Sequence, residues 1–328
     1  MLRNFSYSAC LTAALLAAIS NGCREPQSSA HDRTAETKVY EPFAGEYPIK
    51  IVCTIGQIAD MLRNVGGEHV AVTGLMGPGV DPHLYRELPA DIEKLSSADA
   101  IFYNGLHLEG RMADLFARLA QRRPTFAVTQ GLEESHDSRL RTPPEFAGYH
   151  DPHVWHDPKL WAECVQYATD RLCDLDPAHR DDYQRNSAAY QADLHELDQY
   201  CRERLAEIPE SQRVLVTAHD AFGYFCLTYG LESMPLKGVS TEDEVTLGRM
   251  DEVIEFIVER NVKAVFVESA VAPRIVEALI KPCQQRGHEV HVGGELYADA
   301  LGPADTGEDT YVGMLRANVD TIVSALNQ

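Results

Sequence analysis

The chain has 328 residues, 45% of them hydrophobic and 24% charged, so it is too apolar to be disordered and long enough to fold as two lobes. Its 50 acidic and 29 basic residues give a net charge of −21, which repels phosphate backbones and argues against nucleic acid as a partner. A core of this size needs no disulfides, so the eight cysteines do not indicate a small cross-linked scaffold.

The N-terminus has the pattern of an export signal. Arg3 precedes an apolar run, Ala9 to Ile19, that is too short to span a bilayer as an ordinary helix. Small residues then lead to Cys23, as in a bacterial lipobox, although Ser20 stands where that motif prefers Leu. We therefore expect residues 1–22 to be a lipoprotein signal peptide and Cys23 to be lipidated. Ordinary signal cleavage nearby is the alternative.

Residues 23–46 are polar and lack a hydrophobic period, which predicts a flexible tether and a folded region that begins near Tyr47. From there β-branched runs alternate with helical stretches, which is typical of an α/β protein with parallel sheets. The elements predicted in the first lobe, residues 47–176, are strands Ile51–Thr54, Val70–Gly74, Ala100–Tyr103 and Thr125–Val128, and helices Gln57–Val65 and Leu88–Leu95. Those predicted in the second lobe, residues 209–328, are strands Arg213–Thr217, Glu232–Leu236, Ala264–Glu268 and Glu289–Gly293, and helices Phe222–Tyr229, Gly248–Glu259 and Pro273–Gln285.

Residues 177–208, between the lobes, predict one long helix. They contain no glycine and almost no β-branched residue, and prolines at 177 and 209 bracket them. Apolar side chains recur every three or four residues, at Tyr190, Leu194, Leu197, Cys201 and Leu205. A single stiff helix of this kind predicts small lobe rotations.

Two Asp-Pro-His triplets, Asp81-Pro82-His83 and Asp151-Pro152-His153, supply the first candidate metal ligands. Both lie in connecting loops, where open α/β sheets bind ligands, and proline restricts the backbone just before each imidazole. A nearby Asp can hold the second ring nitrogen, as a metal-bound His requires. A solvated loop histidine is the alternative for either triplet alone, but the repetition favours ligation.

Two further candidates follow strands of the second lobe. His219 stands between a strand ending at Thr217 and an aromatic helix, and Asp299 follows the Gly293-Gly294 segment. The alternatives are a residue at a helix N-terminus and an Asp in a turn. Four protein ligands drawn from two lobes would close a metal site completely. The resulting N3O set suits Zn(II) or Mn(II) and consists of His83, His153, His219 and Asp299.

These candidate ligands and the sequence around them resemble those of the zinc/manganese solute-binding lipoproteins of ABC transporters, also called cluster A-I or adhesin-lipoprotein receptors. The resemblance covers nearly all of the mature chain. It is carried by Thr54–Asp60, Asp81–His83, Asn104–Leu106, Asp151–Trp155, His219–Phe222, Ser240–Glu244, Phe266–Ser269 and Asp309–Tyr311. It implies two (β/α)4-like lobes with parallel sheets, bridged by one long rigid helix, and a metal site in the interlobe cleft. The ligands that it implies are His83, His153, His219 and Asp299.

The resemblance also implies a cargo and partners. In the family the third ligand is Glu in many manganese receptors and His in most zinc receptors, and here it is His219. Three imidazoles favour Zn2+ over Mn2+, whereas the blocks around Ser240 and Gly294 resemble the manganese-leaning branch, so we place zinc slightly ahead of manganese. We expect an exported, periplasmic or lipid-anchored monomer that delivers one divalent metal to an ABC permease and its ATPase.

Other histidines are interpreted as bystanders. Residues 133–150 contain only His136 and His150, so a histidine-rich capture loop is not supported. We interpret His150 and His156, close to His153, as part of a solvated acidic turn. His107 follows a predicted strand and is interpreted as a residue on the rim of the cleft.

Two other function classes are the alternatives to a metal receptor. The chain lacks Gly-x-Ser-x-Gly, a phosphate-binding loop and His-Glu-x-x-His, and a catalytic zinc keeps one coordination position open. An enzyme would require that one of the four residues does not bind the metal. The corresponding hypothesis is a secreted metal-dependent hydrolase with His83, His153 and His219 as ligands and Asp299 as general base. A surface adhesin is the third hypothesis. The cysteines of the lobes are interpreted as buried small hydrophobic residues with their pairing left open: Cys53, Cys164, Cys173, Cys201, Cys226 and Cys283.

Overall fold

A computed structural model of the chain describes residues 40–327. The predicted signal peptide, the candidate lipidation site Cys23 and the tether up to residue 39 lie outside the described residues. The Phe43 amide donates a hydrogen bond of 2.6 Å to the carbonyl of Leu175. Packed structure therefore begins a few residues before the predicted start at Tyr47. Within residues 40–327, no helix is long and apolar enough to cross a membrane.

The first half of the described chain is built on one parallel sheet. Its strands are β1 (Ile49–Cys53), β2 (Val70–Gly74), β3 (Ala100–Tyr103) and β4 (Thr125–Ala127), and its helices are α1 (Gly56–Gly66), α2 (Pro89–Ser97), α3 (Ala113–Leu119) and α4 (Gln130–Glu134). The strands pair in the order β2-β1-β3-β4 and are all parallel. Most side chains of β1 and β3 are buried, as expected for a parallel sheet covered by helices. All four predicted strands are confirmed.

Two long helices follow, α5 (Pro158–Leu175) and α6 (Arg180–Leu205), and they pack against each other. The Asp157 carboxylate accepts the Lys159 amide at 2.8 Å and caps the start of α5. The 26 residues of α6 span about 39 Å at 1.5 Å per residue. Every residue of the predicted apolar stripe is buried, and α6 also contacts α1 and the C-terminal helix. The predicted long helix between the halves is confirmed.

The second half has four strands and five helices. The strands are β5 (Val214–Thr217), β6 (Glu232–Pro235), β7 (Ala264–Glu268) and β8 (His291–Leu296), and the helices are α7 (Gly223–Tyr229), α8 (Leu247–Glu259), α9 (Arg274–Glu277), α10 (Ile280–Gln285) and α11 (Tyr311–Leu326). β5 pairs with β6 and β7 with β8, in parallel, and β5 lies beside β7. The six cysteines are all buried and free, in agreement with their interpretation as small hydrophobic residues.

Two predicted elements of the second half differ in the structure. The helix predicted at Pro273–Gln285 is broken into α9 and α10, because Pro282 has no amide hydrogen for the carbonyl of Ala278 and its ring crowds that position. Strand β8 extends to Leu296, beyond the predicted end at Gly293. Gly293 therefore does not end the strand. Glycine is needed at this position because α11 packs so closely that a Cβ atom at residue 293 would lie 2.7 Å from the Ala325 side chain.

Candidate metal centre

The four candidate ligands lie in loops at one end of the sheets. His83 lies in the loop between β2 and α2, His219 directly after β5, and Asp299 directly after β8. His153 precedes a short 3-10 turn that leads into α5. Because ligands of α/β proteins bind beyond the carboxyl ends of the strands, this is the expected location for a binding site.

The structure brings all four side chains together in the interior. Their ligand atoms all lie within 4.8 Å of one another, and none of the four side chains is more than marginally exposed. The Nε2 atoms of His83 and His153 are 3.2 Å apart. The two Asp299 oxygens lie 3.3 Å from the Nε2 atoms of His153 and His219, one oxygen to each.

Carboxylates orient two of the three imidazoles. His153 Nδ1 donates to Asp151 Oδ1 at 2.7 Å, and His219 Nδ1 donates to Glu268 Oε2 at 2.5 Å. Since a carboxylate only accepts, each Nδ1 carries a hydrogen, and the neutral ring then offers the lone pair of its Nε2. That is the tautomer which binds metal, and the arrangement is the carboxylate-histidine pair typical of metal sites.

His83 is held through its backbone and its neighbour. Asp81 Oδ1 accepts the His83 amide at 2.9 Å, and Asp81 Oδ2 accepts the Thr241 hydroxyl at 2.7 Å. Thr241 belongs to the second half of the chain, so the loop that carries His83 is fastened to that half. A cavity of about 230 Å³ opens beside His83 and is bordered by the exposed His107, which stacks on Tyr149. The interpretation of His107 as a rim residue agrees with this position.

Acid–base properties at the centre reflect burial and close opposite charges. Burial by itself would raise the pKa of the Asp299 carboxyl, but His219 and His153 outweigh it and hold that pKa well below its ordinary value. Burial opposes protonation of His219 too, yet Glu268 and Asp299 raise its pKa well above the ordinary value. At His83 burial dominates and lowers the pKa to about 3, so this imidazole is neutral.

Three buried atoms at the centre lack hydrogen-bond partners among the described residues. They are His219 Nε2 and both oxygens of Asp299. Burying polar groups without partners costs free energy, and native proteins rarely tolerate several in one place. Three imidazoles and a carboxylate whose ligand atoms lie within 4.8 Å of one another suit a divalent transition metal. The side chains present therefore fit a metal ion.

Sequence reasoning missed three supporting residues. Glu268, a charged residue that ends the apolar strand β7, is buried and orients His219. Arg141 bonds the carboxylates of Asp151 and Asp220. His156 was interpreted as part of a solvated turn, and this was wrong: its ring is buried and bonds to the carbonyl of Ala298 at 2.9 Å. A charged residue closing an apolar strand was the available signal for Glu268.

The chain is similar in sequence to known metal-uptake and metal-binding proteins. The model of the ZnuA family, described as "Zinc-uptake complex component A periplasmic", matches residues 51–325. The zinc-binding protein TroA of Treponema pallidum (strain Nichols) is 47% identical over 276 residues, which cover 84% of this chain and 88% of TroA. The manganese-binding lipoprotein MntA of Bacillus subtilis (strain 168) is 41% identical over 283 residues, which cover 86% of this chain and 91% of MntA.

A solved structure, the periplasmic zinc-binding protein TroA from Treponema pallidum, has a TM-score of 0.82 at 45% identity and covers 85% of this chain and 99% of that one. This match confirms the predicted α/β fold class. The relatives are uptake and metal-binding proteins by name, which confirms that the chain is not an enzyme and leaves the hydrolase hypothesis without support. The chain belongs to the family of zinc-uptake complex component A, the periplasmic solute-binding proteins of metal transport.

Proposed function

We propose that this protein captures one divalent transition metal ion outside the cytoplasm, between His83, His153, His219 and Asp299, and delivers it to an ABC permease and its ATPase. The observation that carries the proposal is the convergence of four buried ligand groups within 4.8 Å, with the Asp299 oxygens and His219 Nε2 free of hydrogen bonds among the described residues. The ion is cargo, so the protein needs affinity and reversible release rather than an open catalytic position.

Zinc is the proposed cargo ahead of manganese. Three imidazoles and one carboxylate bind Zn2+ more tightly than Mn2+, which stands at the weak end of the order for divalent first-row metals. The two relatives divide on this point by name, since TroA is a zinc-binding and MntA a manganese-binding protein. Both oxygens of Asp299 face the centre, so a coordination number above four is accessible to either metal.

The proposal includes export, a lipid anchor on Cys23 and a monomeric state. Membership of a periplasmic family supports export, and the lipobox-like sequence before Cys23 supports lipidation. We also propose that residues 47–176 and 209–328 act as the two lobes, with residues 177–208 as the linking helix. Metabolic labelling with a radioactive fatty acid tests the anchor. We expect the label to be incorporated into the original protein and not into the Cys23→Ser variant.

Calorimetric titration tests the metal site. The mature domain is stripped with chelator and titrated with Zn2+ and with Mn2+, with a competing chelator present where binding is tight. One tight site, with higher affinity for zinc, is the expected result. Failure to bind either metal would overturn the proposal.

A further inference from the structure

The carbonyl of Ala298 receives two side-chain hydrogen bonds from the opposite half of the chain. Trp155 Nε1 and His156 Nε2 both donate to it, each at 2.9 Å. All three residues are fully buried. A carbonyl oxygen has two lone pairs, so both acceptor positions of Ala298 are filled.

These two bonds determine the orientation of the peptide plane that precedes Asp299. The peptide unit is rigid and planar, so a carbonyl held in one direction also fixes the Cα position of the next residue. On the other side of Ala298, the Tyr297 amide donates to Asn318 Oδ1 and the Tyr297 carbonyl accepts from Asn318 Nδ2, both at 2.8 Å. The backbone that leads into Asp299 is therefore anchored at both Tyr297 and Ala298.

The two donors come from the segment that carries another candidate ligand. Trp155 and His156 belong to the 3-10 turn that begins immediately after His153. The carbonyl of Trp155 itself accepts the Tyr311 hydroxyl at 2.7 Å, which holds this turn against α11. One short turn thus presents the His153 imidazole and holds the peptide of Asp299, and the Nε2 and Oδ1 atoms of these two ligands end 3.3 Å apart.

We propose that His156 is a positioning residue for the metal site, which sets the Asp299 carboxylate relative to His153 through the Ala298 carbonyl. This inference rests on the proposed function for its effect on metal binding. His156 is not among the four clustered ligand groups, and its Nε2 hydrogen is directed at the carbonyl. Its Nδ1 has no hydrogen-bond partner among the described residues, so the Nε2 bond is the one polar contact that the ring makes there.

Substitutions of His156 can separate the positioning of the Asp299 carboxylate from the stability of the fold. Its ring packs on Phe222 with centroids 4.5 Å apart, an environment that suits a phenyl ring of similar size. His156→Phe removes the hydrogen bond and the unpartnered Nδ1 together, while Trp155 still satisfies the carbonyl. His156→Gln restores a donor, because the glutamine amide nitrogen stands where histidine has Nε2.

The matched control is His288. This buried imidazole also donates from Nε2 to a backbone carbonyl, that of Val262, at 2.7 Å. Val262 precedes β7 and His288 precedes β8. Both residues therefore lie at the strand ends that are opposite to the candidate ligands. His288→Phe therefore removes the same kind of bond away from the site.

The first experiment needs no metal. In the full exported chain, alanine labelled at its carbonyl carbon and aspartate labelled at its nitrogen give one NMR signal for each Ala-Asp pair, and Asp299→Asn identifies the Ala298 signal by its disappearance. We expect the Ala298 carbonyl signal to move in His156→Phe, to return towards its original position in His156→Gln, and to stay in place in His288→Phe. An unchanged signal in His156→Phe would overturn the proposal even if the protein bound no metal.

The second experiment measures the consequence for the ion. We expect His156→Phe to bind Zn2+ about 10-fold more weakly, with His156→Gln close to the original affinity and His288→Phe unchanged, since outer partners of ligands typically contribute 10- to 100-fold. The visible spectrum of bound Co2+ reports ligand geometry and should change in His156→Phe alone. Unchanged affinity and an unchanged Co2+ spectrum in His156→Phe would reject positioning, whereas absence of metal binding in the unmodified chain would reject the proposed function instead.

Discussion

The guanidinium of Arg141 lies directly against Gly223, so that a Cβ atom at residue 223 would overlap its Nη1 and Cζ atoms. From this position Arg141 bonds Asp151 through Nη1 and Asp220 through Nη2, the latter at 2.8 Å. Asp151 orients His153, and Asp220 directly follows His219. One arginine therefore joins the two segments that carry these candidate ligands.

Replacement of this arginine should destabilise the protein. Arg141→Met leaves the Asp151 and Asp220 carboxylates buried beside each other without their cation, and removal of one partner from a buried ion pair costs about 3 kcal/mol or more. We expect the free energy of unfolding, measured by denaturant titration of the metal-free protein, to fall by about 3 kcal/mol. A fall no larger than that of a surface variant such as Arg185→Met would show that the bridge adds nothing to stability.

Gly223→Ala tests the same contact from the other side. Alanine in a helix is ordinarily favoured over glycine by about 1 kcal/mol, but here the new methyl group must displace the guanidinium. We expect a net loss of about 1–3 kcal/mol in the free energy of unfolding. Gly248→Ala is the control, because this glycine is also in the first turn of a helix and its added Cβ would meet nothing within 4 Å beyond its chain neighbours and the backbone of its own helix. The control should gain stability, and a gain in both variants would contradict the packing of Arg141.

Removal of individual ligands should abolish tight metal binding. We expect His219→Ala and Asp299→Ala each to weaken Zn2+ affinity by more than the roughly 100-fold upper range for an outer partner. Competitive calorimetry with a chelator measures the loss, and His195→Ala, on the exposed surface of α6, is the control. If both ligand variants kept the original affinity for zinc and manganese, the site assignment would be wrong.

Glu268→Gln should weaken zinc binding through a change of tautomer. The amide oxygen can still accept the Ala218 and His219 amides, but the amide nitrogen faces His219 Nδ1 as a donor. In the neutral imidazole, the form that binds metal, the single proton must then lie on Nε2, and we expect a 10- to 100-fold loss of affinity, about the typical effect of an outer partner.

The control for this variant is Glu109→Gln. Glu109 is likewise buried and accepts the Thr54 hydroxyl at 2.6 Å and the Asn104 amide at 2.8 Å, and neither partner is a candidate ligand. We expect Glu109→Gln to change the free energy of unfolding and to leave the zinc affinity unchanged. Equal losses of affinity in both variants would assign the effect to general destabilisation rather than to the tautomer of His219.

Zinc affinity should fall as the pH falls. Burial opposes protonation of His219, yet Glu268 and Asp299 outweigh it and raise its pKa well above the ordinary value, so the metal-free protein holds a proton there at neutral pH. That proton stabilises the metal-free fold below this pKa and is lost as the pH rises through it, and the metal must displace it to bind. We expect affinity to decrease about tenfold per pH unit for each displaced proton. Titrations in buffers of different ionisation heat measure the number released, and pH-independent affinity would contradict this account.

Much of the fold was predictable from local patterns. Buried parallel strands are continuous apolar runs, which made β3 and β7 recognisable to the residue, and the three- and four-residue spacing along α6 marks one buried face. Helices α3, α4, α5 and α11 were missed. Tyr311–Leu326 carries Val and Thr residues that weaken helix propensity, and its packing against β8 and α6 outweighs that preference.

The sequence alone predicted the fold class from hydrophobic periodicity and an export signal from a short apolar run near the N-terminus. It also predicted the four candidate ligands, from the repeated Asp-Pro-His triplet and from polar residues placed after strands. The tertiary structure decided which residues support the ligands. Glu268 is 49 positions from His219, Arg141 is 79 from Asp220, and His156 is 142 from Ala298, so no local pattern relates them. Hydrogen bonds and ion pairs act over a few ångströms in space, and only the folded chain brings such distant positions within that range.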